Sequence, residues 1–268
     1  MLPILYEAGF VSIQTLWVVV VIALLISSYL AVKRLKRRRV NFNLFIAHST
    51  SLLISAILFS RLVYFFSNTT AYFPGFDLRT LWNFVAIWDQ GFSFWGALFG
   101  FALALSYRII KEKEPLWKWF DALSVPVLIG MAIGSFGAFL GGFSYGTPTN
   151  LPWGIQYEAF TVKYTVPIHP TQIYAILAIA AILWSKKYLK EKTKFFDTDG
   201  NTTIYLTAAY SLAYFLLEFV RGDDTLMILG IRIPQIAAMT VLGFSGYHLY
   251  KRYKHWQNVK GETPEKSS

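Results

Sequence analysis

Apolar stretches of about twenty residues, separated by lysine and arginine clusters that fall at every second connection, constrain this chain more than any other feature. The stretches are 11–32, 44–66, 91–110, 122–140, 170–185, 203–219 and 234–250, the fifth and sixth being short. Clusters follow the first (KRLKRRR, Lys33–Arg39), the third (RIIKEKEPLWK, Arg108–Lys118) and the fifth (KKYLKEKTK, Lys186–Lys194). After the seventh come Lys251, Arg252, Lys254, Lys260 and Lys266, so that 20 of the 25 Lys and Arg lie in four segments. Positive charge is retained on the cytoplasmic side of a bilayer. The pattern therefore predicts an all-α integral membrane protein of seven transmembrane helices, N-terminus outside and C-terminus cytoplasmic. Residues 1–250 are expected to form one membrane domain, with outer-face segments 67–90 and 141–169, and residues 251–268 a basic cytoplasmic tail.

The composition agrees: 55% of residues are hydrophobic and 15% charged, against about 25% charged in soluble domains. The net charge of +10 is explained by cationic loops beside anionic lipid headgroups, with no nucleic-acid partner implied. Cysteine is absent, which excludes disulfides, thiolate metal sites and a cysteine nucleophile within the chain. The N-terminal MLPILYEAGF lacks a basic n-region and no small-residue cleavage site follows, so the first apolar run reads as a retained helix. The Trp-, Tyr-, Pro- and Gly-rich outer segments suit an interfacial position, and the terminal GETPEKSS reads as disordered. No metal-ligand spacing, phosphate-cradling loop or nucleophile elbow is present, so neither metal nor cofactor is expected.

Few polar groups lie at membrane depth. Arg61 in AILFSRLVYFF, near the outer end of the second span, either snorkels to the headgroups or offers a cation to a lipid phosphate. Glu218 and Arg221 in YFLLEFVRGDD end the sixth span three residues apart, on one helix face, as a structural ion pair or a functional one. His169 in PIHPTQIY precedes the fifth span. It is either a hydrogen-bonded structural residue or a base able to take a proton near neutral pH. Gly130, Gly134, Gly137 and Gly141 repeat at spacings of four, three and four, a stripe that lets helices approach closely in lipid.

Taken in order, these segments resemble the prolipoprotein diacylglyceryl transferase family. QGFSFWGALFG (Gln90–Gly100) resembles the family's GGMSFHGGLIG, and GSFGAFLGGFSYG with LPWG (Leu151–Gly154) resembles GRIGNFINGELWG with PWG. HPTQIY (His169–Tyr174) is similar to HPSQLYE; Tyr210 with EFVR (Glu218–Arg221) is similar to the tyrosine before EFFR; and SRLVYF around Arg61 is similar to ARLxY. The departures fall on polar positions. Trp95 stands at the family's HGGL histidine, Ser135 at the signature arginine, Ala138 and Gly141 at its asparagines, Phe143 at its glutamate, and Tyr214 at the arginine after Tyr210.

The resemblance implies transfer of a diacylglyceryl group from phosphatidylglycerol to the lipobox cysteine of prolipoproteins, at the outer side of the bacterial plasma membrane. Implied partners are phosphatidylglycerol, the prolipoprotein signal peptide and membrane lipids. Such a reaction needs a base to make thiolate and cations for the departing glycerol phosphate. The resemblance gives His169 as base and Arg221 as catalytic cation. Arg61, Tyr210, Glu218, Gln172, Gly137 and Gly142 are its substrate-binding positions. The alternative is a homologue that binds phospholipid or lipoprotein precursor without chemistry.

Overall fold

In the computed structural model, residues 3–8, 11–68, 91–157 and 161–262 are described. The chain divides into two units, Met1–Arg34 with Trp117–Ser268, and Leu35–Leu116.

The smaller unit is a helix pair. A short α2 (Asn43–Ala47) leads through His48 into α3 (Ser49–Ser67), which packs against α4 (Phe94–Lys111). Three contacts run down the pair in antiparallel order. Ser60 Oγ donates to Ser93 O at 2.9 Å, Ser55 Oγ donates to Gly100 O at 2.8 Å, and His48 Nε2 lies 2.9 Å from Glu112 Oε1. Ser93 also caps α4, its side chain accepting from Gly96 N at 3.3 Å, as a serine N-cap does for an orphan helix donor. The expected second span is thus interrupted at His48, whose φ of −109° and ψ of 7° lie outside the helical range.

The larger unit begins with an antiparallel hairpin, β1 (Ile4–Ala8) with β2 (Val11–Gln14), which feeds directly into α1 (Thr15–Arg38). It continues with α5 (Leu116–Gly141), α6 (Thr171–Lys192), a 3-10 turn (Lys194–Asp197) and α7 (Asn201–Leu217). A second small hairpin, β3 (Met227–Ile228) with β4 (Ile231–Arg232), precedes α8 (Ile233–Glu262). The two short hairpins are additions to an otherwise helical architecture. The first span starts at Thr15 rather than at residue 11, because Val11–Gln14 pair with Ile4–Ala8 as strand.

Each expected span has its helix. Four of them, α1, α3, α4 and α5, are long and apolar enough to cross a membrane by length and composition. The chain is a largely helical, multi-pass membrane protein. The last helix runs on to Glu262, so Lys251, Arg252 and Lys254 ride on its continuation and Gly261 and Glu262 are helical rather than disordered. Most of the 67–90 segment and residues 263–268 lie outside the described residues.

The helices of the larger unit meet over Leu128 of α5, Ile179 and Ile182 of α6 and Leu206 of α7, all buried. Toward one end, Asp121 of α5 is fully buried and accepts from Gly200 N at 2.8 Å, Thr203 N at 2.9 Å and Thr203 Oγ1 at 2.7 Å. A carboxylate from one helix therefore satisfies the orphan donors that open another. Nearby, Arg252 Nη1 of α8 donates to Asp199 O at 2.8 Å and Asn201 Oδ1 at 3.0 Å.

The glycine stripe is real but incomplete. A Cβ on Gly137 would fall 2.8 Å from Val19 Cβ, and one on Gly130 would fall 2.3 Å from Ser27 Oγ, so α1 closes on α5 at both positions. Gly134 has nothing within 4 Å and is not a contact point. Gly130 and Gly137 are seven residues apart, close to two full helical turns, and share a face, whereas Gly134, four residues after Gly130, is rotated about 40° past a full turn and off the interface.

Candidate active site

At the other end of the larger unit, α5 gives way to a folded segment of about thirty residues that runs to α6. Gly142 ends α5. It adopts φ +71°, with Phe143 N bonded to Ala138 O at 2.9 Å and Gly142 N to Phe139 O at 3.5 Å. This is the double closure typical of a helix stopped by a left-handed glycine. Thr161 Oγ1 then donates to the Gly141 and Gly142 carbonyls, at 3.2 and 3.1 Å. Beyond it, Tyr145, Tyr157 and Ile168 form a small buried core flanked by Phe139, Ile155, Val162 and Tyr164.

Gln172, on the first turn of α6, is buried and braces this segment: Nε2 donates to Phe143 O at 2.6 Å and Oε1 accepts from Tyr157 Oη at 3.3 Å. Burial pushes the Tyr157 hydroxyl up to about 12, the hydrogen bond to Gln172 offsetting only part of it. Gln172 and Gly142 are therefore seen shaping the segment, and Gly137 packing α1 on α5.

Residues 145–149 are the junction. Gly146 N donates to His169 O at 3.1 Å and His169 N to Thr147 O at 3.0 Å, on one side. On the other, Thr147 N donates to Val220 O and Gly222 N to Tyr145 O, both at 2.9 Å, and Gly146 pairs with Arg221 as an antiparallel bridge. A Cβ on Gly146 would sit 2.5 Å from His169 O and 2.9 Å from Val220 O, so only glycine lets three backbone segments converge here. The sequence-distant His169 and Arg221 are thereby mounted on one scaffold.

His169 is half-buried. Its Nδ1 lies 3.2 Å from Tyr174 Oη, one turn into α6, and Trp153 Nε1 donates to the same hydroxyl at 2.7 Å. With Nδ1 carrying hydrogen, Tyr174 orients the ring and leaves Nε2 as the basic nitrogen. Arg221 follows the end of α7. Its Nη1 lies 3.1 Å from Glu218 Oε1, Nε donates to Asp223 Oδ1 at 3.0 Å, and Nη2 pairs with Asp223 Oδ2. Burial opposes the guanidinium's charge, but the hydrogen bonds and proximity of Asp223 outweigh it and hold Arg221 charged beyond the ordinary arginine range.

Arg232, from β4, joins the same cluster: Nε donates to Glu218 Oε2 and Nη2 to Asp223 Oδ1, both at 2.8 Å. The Glu218–Arg221 pair expected from sequence is thus half of a four-group network. Asp223 could have been suspected, two residues after Arg221 in RGDD. Arg232 had a fainter signal, as the one Lys or Arg between Arg221 and Lys251. Among the described residues, no group of three or more His, Asp and Glu could hold a metal ion.

Arg61 belongs to the smaller unit, and its side chain is turned into the protein. It is 3% exposed, donates from Nη1 to Gly91 O at 2.8 Å, and lies over the rings of Tyr64 and Phe92. Tyr210 faces Tyr214 along α7, ring centroids 6.0 Å apart.

The family model for prolipoprotein diacylglyceryl transferase matches residues 3–250. The chain belongs to this family. A phosphatidylglycerol–prolipoprotein diacylglyceryl transferase of Thermotoga petrophila is 32% identical over 83% of this chain and 76% of its own length. Proteins of the same name from Thermotoga maritima and Nostoc sp. are each 30% identical over 91% of this chain, covering 83% and 87% of their own lengths. Against this background the replaced polar positions can be located. Tyr214 Oη accepts from Arg221 Nη1 at 3.5 Å, so a phenol borders the network where the resemblance has an arginine. Ser135 Oγ turns back to Met131 O at 2.9 Å, and Phe143 packs against Gly141.

Proposed function

We propose that this member of the transferase family moves the diacylglyceryl group of phosphatidylglycerol to the cysteine thiol of a prolipoprotein, at the outer face of a bacterial plasma membrane. In this reading seven helices, α1 and α3–α8, cross the bilayer with the N-terminus outside, an arrangement supported by the alternating Lys/Arg clusters. His169 and the Arg221 network then lie on the outer side.

The thiol proton passes to Nε2 of His169. The thiolate attacks the glycerol carbon that carries the phosphoester oxygen, a C–S bond forms, the C–O bond breaks, and glycerol phosphate leaves with the electron pair. Tyr174 holds the imidazole and stabilises its protonated form. Arg221 offsets the negative charge gathering on the departing phosphate, and Tyr210 is the residue assigned to hydrogen-bond the headgroup.

The observation that carries this reading is the Gly146 junction, which puts a tyrosine-oriented histidine and a carboxylate-braced arginine on adjoining backbone segments. The test is a transfer assay with purified protein, phosphatidylglycerol and a lipobox peptide. Wild type should yield thioether-linked peptide, and folded His169→Gln should lose at least about 100-fold in rate, the usual contribution of a general base. Lipid retention without any transfer by wild type would support the binding-protein alternative. Undiminished transfer by His169→Gln would remove His169 from the chemistry.

A further inference from the structure

Two arginines, one buried glutamate and one partly exposed aspartate make the cluster at the end of α7 formally neutral. The two carboxylates play different parts. Glu218 has a wholly buried side chain and contacts both guanidinia from within: Nε of Arg232 by a hydrogen bond, and Nη1 of Arg221 by an ionic contact without hydrogen-bond geometry. Asp223 is the most exposed member, its side chain 24% accessible against 18% for Arg221 and 11% for Arg232. It takes the outward donors, with both oxygens in the Nε/Nη2 fork of Arg221 and Oδ1 also on Nη2 of Arg232. A fork with a second guanidinium alongside is the donor geometry that phosphate oxygens use.

We propose that Asp223 is a resident anion seated where a lipid phosphodiester binds, and that the headgroup displaces it. This rests on the transferase reading only in naming the lipid. With Asp223 turned out, Arg221, Arg232 and Glu218 leave one net positive charge, matching the single negative charge of a phosphodiester.

The exchange asks little of the backbone. Asp223 O is held by Arg232 Nη1 at 3.0 Å, Gly222 N by Tyr145 O, and Arg221 by its bridge to Gly146, so a side-chain rotation empties the seat. While the seat is empty of lipid, Asp223 supplies, beside Glu218, the second counter-charge that balances two guanidinia in a poorly solvated site. The adjacent surface suits a lipid better than a free anion. Arg232 ends a hairpin whose Leu226, Met227, Ile228, Leu229 and Ile231 are all exposed, Leu229 by 98%, at a tip where it holds φ +51°. Apolar side chains beside a phosphate seat are where acyl chains would lie.

Phosphatidylglycerol binding to purified protein, followed by native mass spectrometry and lipid extraction, tests this. Asp223→Ala should raise the affinity on the order of fivefold, the equivalent of releasing one partly exposed ion pair. Phosphatidylcholine, without net charge, should gain less. Arg232→Gln in the Asp223→Ala background should abolish the gain. Thermal melting and gel filtration report on folding, and Asp223→Asn, which keeps the shape and loses the charge, serves if the alanine variant unfolds. Equal or weaker phosphatidylglycerol binding by a folded Asp223 variant would overturn the proposal. Inorganic phosphate that competes as well as glycerophosphoglycerol or the lipid would overturn its lipid assignment. The transfer assay is read separately. A binding gain in Asp223→Ala without turnover in wild type sinks the transferase reading and leaves the seat. Normal turnover without the gain does the reverse.

Discussion

Glycine at position 137 and glycine at position 134 share a stripe and a spacing, yet their neighbours make them opposite cases. A side chain at 137 meets Val19 at contact that no Cβ tolerates, while one at 134 meets nothing within 4 Å. Gly137→Leu should therefore lower stability by roughly 1–3 kcal/mol through overpacking of α1 on α5. Gly134→Leu should leave the melting temperature in detergent nearly unchanged. Equal losses in the two variants would mean that α1 does not close on α5 at Gly137. Gly146 is a third case, since its missing side chain serves the site: three backbone segments meet where a methyl would stand.

Among the helices, α7 is the one that the site depends on, because its far end delivers Glu218 and Arg221. Its near end is opened by Asp121 of α5, which binds three donors there and is itself fully buried. Asp121→Ala strands those donors and should destabilise the protein by at least about 2 kcal/mol, a lost cap combined with unsatisfied buried groups. Asp121→Asn keeps one acceptor oxygen and should cost clearly less. The measurement is melting in detergent, with hydrogen exchange at Thr202–Ile204 as the local readout. Protection there that is unchanged in Asp121→Ala would show that α7 does not need the carboxylate. Such a mutation lies two helical ends away from His169, so any loss of transfer should follow the loss of folded protein.

For the molecule in its membrane, the orientation proposed above places 141–169 outside and the α6–α7 connection inside. The chain has no cysteine, so single introduced thiols report cleanly. Asn150→Cys, at an exposed position, should react with an impermeant maleimide in intact cells, and Lys192→Cys should react only after the membrane is opened. The reverse labelling would invert the orientation and put the His169–Arg221 face in the cytoplasm.

Hydropathy and charge position marked a helix in each of the seven apolar stretches, but α1, α6 and α8 run six, seven and twelve residues beyond the expected ends, because bilayer thickness sets the length of the apolar run and not where the helix stops. They also led to His169, Glu218 and Arg221, since a polar group in an apolar run is conspicuous. Local pattern could not show that the residues before Thr15 pair as strand, or that His48 interrupts a span, because both depend on which neighbours are available to take hydrogen bonds. Nor could it separate Gly134 from Gly137, which differ only in what faces them. Arg232 joined the cluster only in three dimensions: the hairpin Met227–Arg232 brings it back to Glu218, and no spacing rule links residues 218 and 232. The sequence could say which groups were too polar for their surroundings, but partnership among them was decided by the fold, since burial makes each charge bind whatever counter-charge the backbone brings within reach.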